Sequence, residues 1–347
     1  MKIGMKKKTD DNQIKIHKIS SLPKWQGIAI FYALAILLAL SVVLHYNPGA
    51  DAETERLKKI CACLLITLSC VVFGVFYDRI MVLPGELWLN KKLIWKMSLN
   101  DFRKRYAGSY LGALWAFAQP IVTVLMYWFV FEKIFHTKAE VAGRGLEVPY
   151  VIFLMAGLVP WFYFQEGLSN GTTSLLEYSY LVKKVVFKIS ILPLIKIIAA
   201  TFTHMFFCLI LVGAGWAAGF TPNVYTLQIF YYMFCEFMLL LALSYATSAI
   251  QVFFRDLMQI INIVLQIGQW ATPILWNIEQ VDYRLQWIIK LNPVTYIVGG
   301  YRSAIYEQRW FFEHFYSSTY FWIVVVALFC IGSLIFKRSK IHFADVL

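Results

Sequence analysis

Residues 27–46 of the chain read GIAIFYALAILLALSVVLHY, twenty consecutive residues without Asp, Glu, Lys or Arg. A helix rises about 1.5 Å per residue, so a run of this length crosses roughly the 30 Å of hydrocarbon in a bilayer. The whole chain is similarly apolar, since 60% of its 347 residues are hydrophobic and only 15% are charged. A soluble core cannot bury that much apolar surface. The sequence therefore predicts an all-α integral membrane protein, because helices satisfy their own backbone polar groups in lipid.

About eight apolar segments are predicted to cross the membrane. They are residues 27–46, 60–77, 110–131, 150–167, 191–219, 225–253, 257–276 and 319–336. With the N-terminus inside, 22 of the 32 Lys and Arg residues fall on the cytoplasmic side and 10 on the outer side. This positive-inside pattern predicts that both termini are cytoplasmic, although Lys58 and Lys59 lie outside against the trend. Because the basic residues cluster beside membrane segments, the net charge of +12 does not indicate a nucleic-acid partner.

The order of basic and apolar segments divides the chain into three regions. Residues 1–26 form a basic cytoplasmic arm without a cleavable signal peptide, because the following run is a full span with no small-residue cleavage site. Residues 27–87 hold two helices, and residues 88–347 hold the other six. The six cysteines lie in apolar runs without zinc or redox spacing, so we expect small buried hydrophobes and no metal site.

The segment from Trp88 to Tyr106 is predicted to be an amphipathic helix on the cytoplasmic surface of the membrane. Its aromatic and apolar residues Trp88, Trp95, Leu99, Phe102 and Tyr106 recur at spacings of seven, four, three and four, and Lys and Arg residues lie between them. The spacing alone leaves open whether this helix only anchors the topology or gates a conduit.

Two other segments are neither ordinary spans nor short turns. Residues 170–190 are apolar and partly basic, which suits a cytoplasmic connector that docks onto another protein or lies on the membrane. Residues 277–315 contain Pro293 and adjacent glycines among apolar residues and are too interrupted to span. They are predicted to form either short helices that dip into the outer leaflet or an extracellular cap.

Four stretches carry a family resemblance: LNDFRKRYAGSYLGALW at 99–115, GLVPWFYF at 157–164, LVKK at 181–184, and LNPVTY at 291–296 followed by Tyr301 and Arg302. From about residue 89 to its C-terminus, the chain resembles the ABC-2 permeases that export O-antigen, capsule, teichoic acid and related envelope polymers. Two features depart from the family pattern. These are the additional helices in residues 27–87, and Lys188, which stands where the family has proline.

The resemblance implies a six-span permease that works as a homodimer in the bacterial inner membrane with two copies of a separate ATP-binding subunit. It implies that lipid-linked polysaccharide is exported, and that ATP and Mg are bound by the partner, with no cofactor in this chain. The gate helix would include Trp88, Trp95, Leu99, Phe102, Arg103, Arg105 and Tyr106. The coupling helix would include Leu176, Glu177, Tyr178, Tyr180, Leu181, Lys183 and Lys184, and the re-entrant helices Asn292, Pro293, Tyr296, Tyr301 and Arg302.

A sugar polymer presents hydroxyl groups and flat patches of C–H, so its path favours aromatic faces over strong binding sites. The candidates for this path are Tyr110, Trp115, Phe117, Trp128, Trp270 and Trp276. Aromatic anchors at the membrane interfaces would show the same pattern. The basic run Arg103 to Arg105 either holds the pyrophosphate of a lipid carrier or anchors the topology.

Glu236 and His204 are polar residues within predicted spans. A charge at the centre of a membrane helix costs about 2.5 to 3.5 kcal/mol on insertion scales, so both are expected to face the bundle or the conduit. Hydrogen bonds between helices are the structural alternative.

Two other functions are weaker. A membrane glycosyltransferase needs an outer-loop carboxylate, and the loop that carries Asp51, Glu53 and Glu55 is short. A drug or small-lipid exporter of the same family is the closer alternative. The motif G-x-x-x-x-G-K-[ST] does not occur in the sequence, so the energy is expected to come from a partner.

Overall fold

The computed structural model describes residues 24–44, 52–105, 115–136, 139–141, 146–183, 188–313 and 315–347. These residues are largely helical, and seven of their helices are long and apolar enough to cross a membrane. The predicted all-α membrane fold is confirmed. One short antiparallel pair, β1 (Ala139–Val141) with β2 (Leu146–Val148), adds a hairpin that the sequence pattern did not predict.

The helices are α1 (Lys24–Leu44), α2 (Ala52–Ile80), α3 (Val82–Leu89), α4 (Lys91–Arg105), α5 (Trp115–Trp128), α6 (Tyr150–Glu177), α7 (Ser179–Val182), α8 (Leu192–Ala217), α9 (Gln228–Phe253), α10 (Leu257–Ala271), α11 (Tyr283–Lys290), α12 (Pro293–Arg302), α13 (Phe315–Ser339) and α14 (Phe343–Val346). Two π-helical segments, Phe129–Ile134 and Ser303–Glu307, extend α5 and α12.

The predicted span 257–276 is shorter than expected. Helix α10 has fifteen residues and so rises about 22 Å, which is less than the roughly 30 Å of hydrocarbon. It ends because Thr272 adopts extended backbone, with φ −79° and ψ 140°. Pro273 follows, and a residue before proline is disfavoured in the helical region. Helix α10, in the seventh predicted apolar segment, is therefore a helix that is shorter than a full span.

Helix α6 is longer than predicted and forms the centre of the bundle. It continues ten residues past Gly167, to Glu177, so the connector begins at Tyr178 rather than at residue 170. The reason is burial, since Gly171, Thr172 and Leu175 pack inside the protein. Most of its residues are buried, which is the pattern of a core helix, and α8, α9 and α12 pack around it.

The two additional helices form a pair that packs on the rest of the protein through α13. The rings of Phe31 on α1 and Phe73 on α2 stack at 3.9 Å. On α2, Glu55 accepts a 3.1 Å hydrogen bond from the Tyr316 hydroxyl of α13, and Lys58 lies 4.6 Å from the Trp287 ring of α11. The predicted boundary between residues 87 and 88 falls inside α3.

Helices α9 and α13 approach closely at Gly332, and this contact generates a prediction. A Cβ at Gly332 would lie 2.7 Å from the Ala242 carbonyl oxygen, which is backbone and cannot turn away. Gly332→Val is expected to destabilise the bundle by about 1–3 kcal/mol, the usual cost of overpacking. Thermal unfolding in detergent, followed by size-exclusion chromatography, measures the loss.

Gly213→Val is the matched control, because nothing lies within 4 Å of a Cβ at Gly213. Equal melting temperatures for the two variants would contradict the close packing of α9 against α13.

Candidate functional site: an amphipathic helix held by buried ion pairs

The predicted amphipathic segment consists of two helices, because the chain turns at Asn90 between α3 and α4. Trp88 therefore lies on α3, where it is 65% exposed, rather than on the helix with the other predicted gate residues. The buried face of α4 is Ile94, Ser98 and Asp101. The residues that pack on the bundle are therefore not the aromatic residues whose spacing predicted the helix.

The aromatic residues of α4 lie along the edges of this buried face. Trp95 and Phe102 both contact the Phe202 ring of α8, at centroid distances of 5.4 and 5.7 Å. Trp95 is nevertheless 56% exposed, and Leu99 is half-buried. Tyr106 lies outside the described residues. Helix α4 thus packs through a partly polar face and leaves an aromatic edge open.

Asp101 can face inwards on α4 because Lys196 of α8 meets it there, and the Ser98 hydroxyl donates to a backbone carbonyl of its own helix. The Lys196 Nζ lies 2.8 Å from Asp101 Oδ1 and 2.5 Å from Glu177 Oε2, at the end of α6. Only 5% of Lys196 is exposed. The Tyr178 hydroxyl donates a 2.5 Å hydrogen bond to the same Asp101 oxygen, and the Tyr178 ring lies 5.0 Å from Nζ. Burial and the hydrogen bond to Asp101 raise the pKa of Tyr178.

Arg105, at the end of α4, makes a second ion pair with the bundle. Its Nη1 pairs with Glu166 of α6, and its Nη2 lies 3.6 Å from Asp101 Oδ2. Arg103 and Lys104 are exposed. Of the three basic residues predicted to anchor the topology or to bind a pyrophosphate, Arg105 is therefore committed to carboxylates within the protein.

Glu86 of α3 is the centre of another buried ion cluster. It accepts a hydrogen bond from the Ser190 hydroxyl, and its Oε1 lies 3.7 Å from the ammonium groups of both Lys188 and Lys340. The amphipathic region is thus held at both ends: by Glu86 before α4, and by Asp101 and Arg105 at its end.

The described connector is shorter than the predicted coupling helix. Helix α7 has only four residues, and the backbone breaks from helical geometry at Tyr178, with φ −101° and ψ 27°. Tyr180 and Lys183 are exposed, whereas Leu176 and Leu181 are half-buried. Lys184 lies outside the described residues. The connector therefore presents an exposed aromatic and an exposed basic side chain beside the Lys196 cluster.

At the opposite end of the bundle, α11 and α12 are the short helices predicted as re-entrant. Asn292 caps α12 by accepting a 3.0 Å hydrogen bond from the Val294 N–H, and its amide donates to Thr272 at 2.9 Å. Pro293 occupies the first turn, where its missing N–H costs nothing. Tyr296 hydrogen-bonds to Ser318 of α13 at 2.7 Å.

Arg302, at the end of α12, holds the segment that follows α10. Its Nη2 donates a 3.0 Å hydrogen bond to the Ile274 carbonyl, and its guanidinium lies 3.7 Å from the centre of the Phe153 ring. The Tyr150 hydroxyl donates to the neighbouring Leu275 carbonyl at 2.6 Å. Arg302 is therefore a structural clamp in this conformation.

The two predicted intramembrane polar residues lie inside the bundle. His204 Nε2 is 2.7 Å from the Tyr301 hydroxyl, and its ring stacks on Tyr163 at 4.4 Å. Glu236 has no exposed surface, and neither of its carboxyl oxygens has a hydrogen-bond partner among the described residues. Among those residues no group of His, Cys, Asp and Glu could hold a metal ion.

The aromatic residues predicted to line the path divide between packed and open positions. Phe117 packs on Phe206 and Phe207 of α8 at 4.1 and 5.5 Å. Trp115 and Trp270 are more than half exposed, on α5 and α10, and Trp128 and Trp276 are partly buried. Tyr110 lies outside the described residues.

The sequence interpretation missed Asp101, Glu166 and Lys196 as site residues. Lys196 was visible as a charged residue at the start of an apolar run, where burial requires a partner. Asp101 stood four residues before Arg105, a spacing that places both on one helix face. Nothing in the sequence pattern paired them with residues of α6.

Comparisons with known proteins cover the region that contains this site. The sequence profile of the family described as ABC-2 type transporter matches residues 92–306. The O-antigen export system permease protein RfbA of Klebsiella pneumoniae is 26% identical over 250 residues, which cover 72% of this chain and 92% of that protein.

Two further relatives have related names. The O-antigen export system permease protein RfbA of Myxococcus xanthus is 26% identical over 65% of this chain and 85% of its own length. The polysialic acid transport protein KpsM of Escherichia coli is 21% identical over 62% of this chain and 82% of its own length.

The Arg302 clamp generates a second prediction. Arg302→Gln leaves the Ile274 carbonyl without its charged donor and removes the contact with the Phe153 ring. It is expected to destabilise the protein by about 1–3 kcal/mol, the cost of an unsatisfied buried group. Thermal unfolding measures the change. Arg284→Gln, on the exposed surface of neighbouring α11, is the control and is expected to leave the melting temperature unchanged. A wild-type melting temperature for Arg302→Gln would refute the clamp.

Proposed function

The chain belongs to the ABC-2 type transporter family, and we propose that it is the membrane-spanning subunit of an exporter of lipid-linked cell-envelope polysaccharide. The observation that carries the proposal is helix α4, which combines an open aromatic edge around Trp95 with a face held on the bundle by ion pairs. An aromatic edge at an entrance suits a polymer that must slide. The names of three relatives, two for O-antigen and one for polysialic acid, support the same substrate class.

The energy for export would come from a separate ATP-binding subunit. The sequence has no phosphate-binding loop of the G-x-x-x-x-G-K-[ST] type, so ATP and Mg would be held by that partner. The connector is the proposed docking surface. It offers the exposed Tyr180 and Lys183 at the end of the central helix α6, next to α4.

Two copies of the chain would form the conduit as a symmetric dimer. Helices α5 and α10 support this arrangement, because their apolar side chains are poorly covered within one copy. On α10, Ile263, Ile267 and Trp270 are all more than half exposed. A second copy would cover these faces and place Trp115 and Trp270 along the shared interface.

The proposed location is the bacterial inner membrane, with both termini in the cytoplasm. The excess of Lys and Arg on the inner side supports this orientation. It requires α10 to count as a crossing, with the segment after Ala271 completing the distance to the outer surface. The exposed basic residues Arg103 and Lys104 would then lie near the inner leaflet.

The test is to co-express the chain with a candidate ATP-binding subunit from the same genome and to reconstitute the complex in lipid. ATP hydrolysis is measured alone, with polyprenyl-pyrophosphate-linked polysaccharide extracted from the native cells, and with a small amphiphilic dye. We expect stimulation by the polysaccharide. Trp95→Ala is expected to weaken that stimulation about fivefold, because an aromatic contact contributes about 1 kcal/mol.

Trp216→Ala is the matched control, since Trp216 is similarly exposed at the far end of α8. It is expected to leave the stimulation unchanged. Stimulation by the dye and not by the polysaccharide would favour a drug or small-lipid exporter. A chain that is stable without an ATP-binding partner and never recruits one would overturn the proposal.

A further inference from the structure

The side-chain nitrogen of Lys196 joins three elements, α4, the end of α6 and α8. This Nζ bonds Asp101 of α4 and Glu177 of α6 at 2.8 and 2.5 Å, and Lys196 belongs to α8 itself. The Tyr178 hydroxyl closes the cluster by donating to Asp101. Nothing in the family match or in the names of the relatives assigns a role to these residues.

The cluster formed by Lys196, Asp101, Glu177 and Tyr178 lies where the connector begins. Glu177 and Tyr178 are the last residue of α6 and the first of the connector, so any displacement of the connector acts on them first. Asp101 is bound both to Tyr178 directly and to Glu177 through Lys196. The gate-helix face and the connector are therefore linked by two short polar contacts rather than by soft apolar packing.

The amphipathic region has a second attachment to the other side of the connector. Glu86 of α3 binds Ser190 and Lys188, which follow the undescribed residues 184–187. Both flanks of the connector thus bind the region that carries α4. A movement of the connector that kept these contacts would carry α4 with it.

Burial makes the contact between Lys196 and Asp101 strong, because both side chains are largely buried, whereas Glu177 is 47% exposed. A largely buried ammonium group cannot lose both carboxylates, because water does not replace them there. When Glu177 moves, Lys196 either moves with it and pulls on Asp101, or loses Glu177 and is held by Asp101 alone. In both cases the displacement of Glu177 changes the contact between Lys196 and α4. Packed elements that choose between discrete arrangements transmit motion in this way.

We propose that Lys196 is a positioning residue that transmits ATP-driven displacement of the connector, through Asp101, to the amphipathic helix α4. This inference rests on the proposed function, because it assumes that an ATP-binding subunit docks on the connector. It makes Asp101, Glu177 and Lys196 one energetic unit. Single changes in this unit should uncouple ATP binding from α4 movement while assembly persists.

The experiment measures that movement without any polymer. Spin labels are placed on Lys92→Cys in α4 and Arg338→Cys at the end of α13, both exposed, after Cys61, Cys63 and Cys70 are changed to Ala. Electron–electron double resonance records the distance distribution in the reconstituted complex, with and without a non-hydrolysable ATP analogue. The parent chain is expected to show an ATP-dependent shift.

Lys196→Met and Asp101→Asn are each expected to abolish the shift, and the double variant to lose no more than either single one. Lys196→Arg, which keeps the charge, is expected to restore it. In the same variants, stimulation of ATP hydrolysis by the native lipid-linked polysaccharide should fall about fivefold or more, as for typical coupling between sites. Co-purification with the ATP-binding subunit checks that each variant assembles.

Lys59→Met is the matched control, since Lys59 pairs with Glu55 at 3.4 Å in the additional helices, and the shift should persist. Asp101→Asn keeps the residue's shape and so tests the inference if Lys196→Met fails to assemble. An assembled parent without an ATP-dependent shift, or variants that retain it, would overturn the inference. A parent that recruits no ATP-binding subunit would instead overturn the proposed function.

Discussion

The Lys196 ammonium lies where neither lipid nor water can compensate its charge, and the arrangement of its surroundings follows from that constraint. Two carboxylates from different helices approach it, and a tyrosine hydroxyl binds one of them. A pair of this kind contributes little net stability compared with apolar packing, but removing one partner is costly. It therefore determines which helices must stay together, and it places α4 against the end of α6.

Hydropathy predicted the membrane fold because the apolar runs are long and the bilayer imposes one length on them. It failed at α10, where Thr272 and Pro273 end the helix early although the apolar composition continues. It also ended α6 too soon, since the polar residues Thr172 and Ser174 look like a loop but pack inside the bundle. At α10 a local backbone constraint overrides the apolar composition, and at α6 tertiary packing overrides the polar composition.

The candidate site was predictable in location but not in its contacts. Aromatic spacing placed an amphipathic helix before the first core span, and α4 is there. The same spacing assigned Trp88 to that helix, and it did not indicate that Ser98 and Asp101 face the bundle. Asp101 faces the bundle because its ion-pair partner Lys196 lies there, and Lys196 is 95 residues away from it in sequence. Periodicity along one helix carries no information about such a partner.

The pairing of cations with carboxylates has a consequence for the path of a polymer. A glycan that carries acidic sugars or a pyrophosphate would be trapped by several free cations near an entrance, because charge-assisted contacts to phosphate are strong. Here Arg105 is bound to Glu166 and Asp101, Lys196 to Asp101 and Glu177, and Lys188 faces Glu86. In the basic run from Arg103 to Arg105, at the end of α4, Arg103 and Lys104 remain exposed. The same ion pairs that attach the amphipathic helix thus neutralise Arg105 and Lys196, the basic residues that face the bundle, whereas the open side of α4 keeps exposed cations beside the aromatic edge of Trp95.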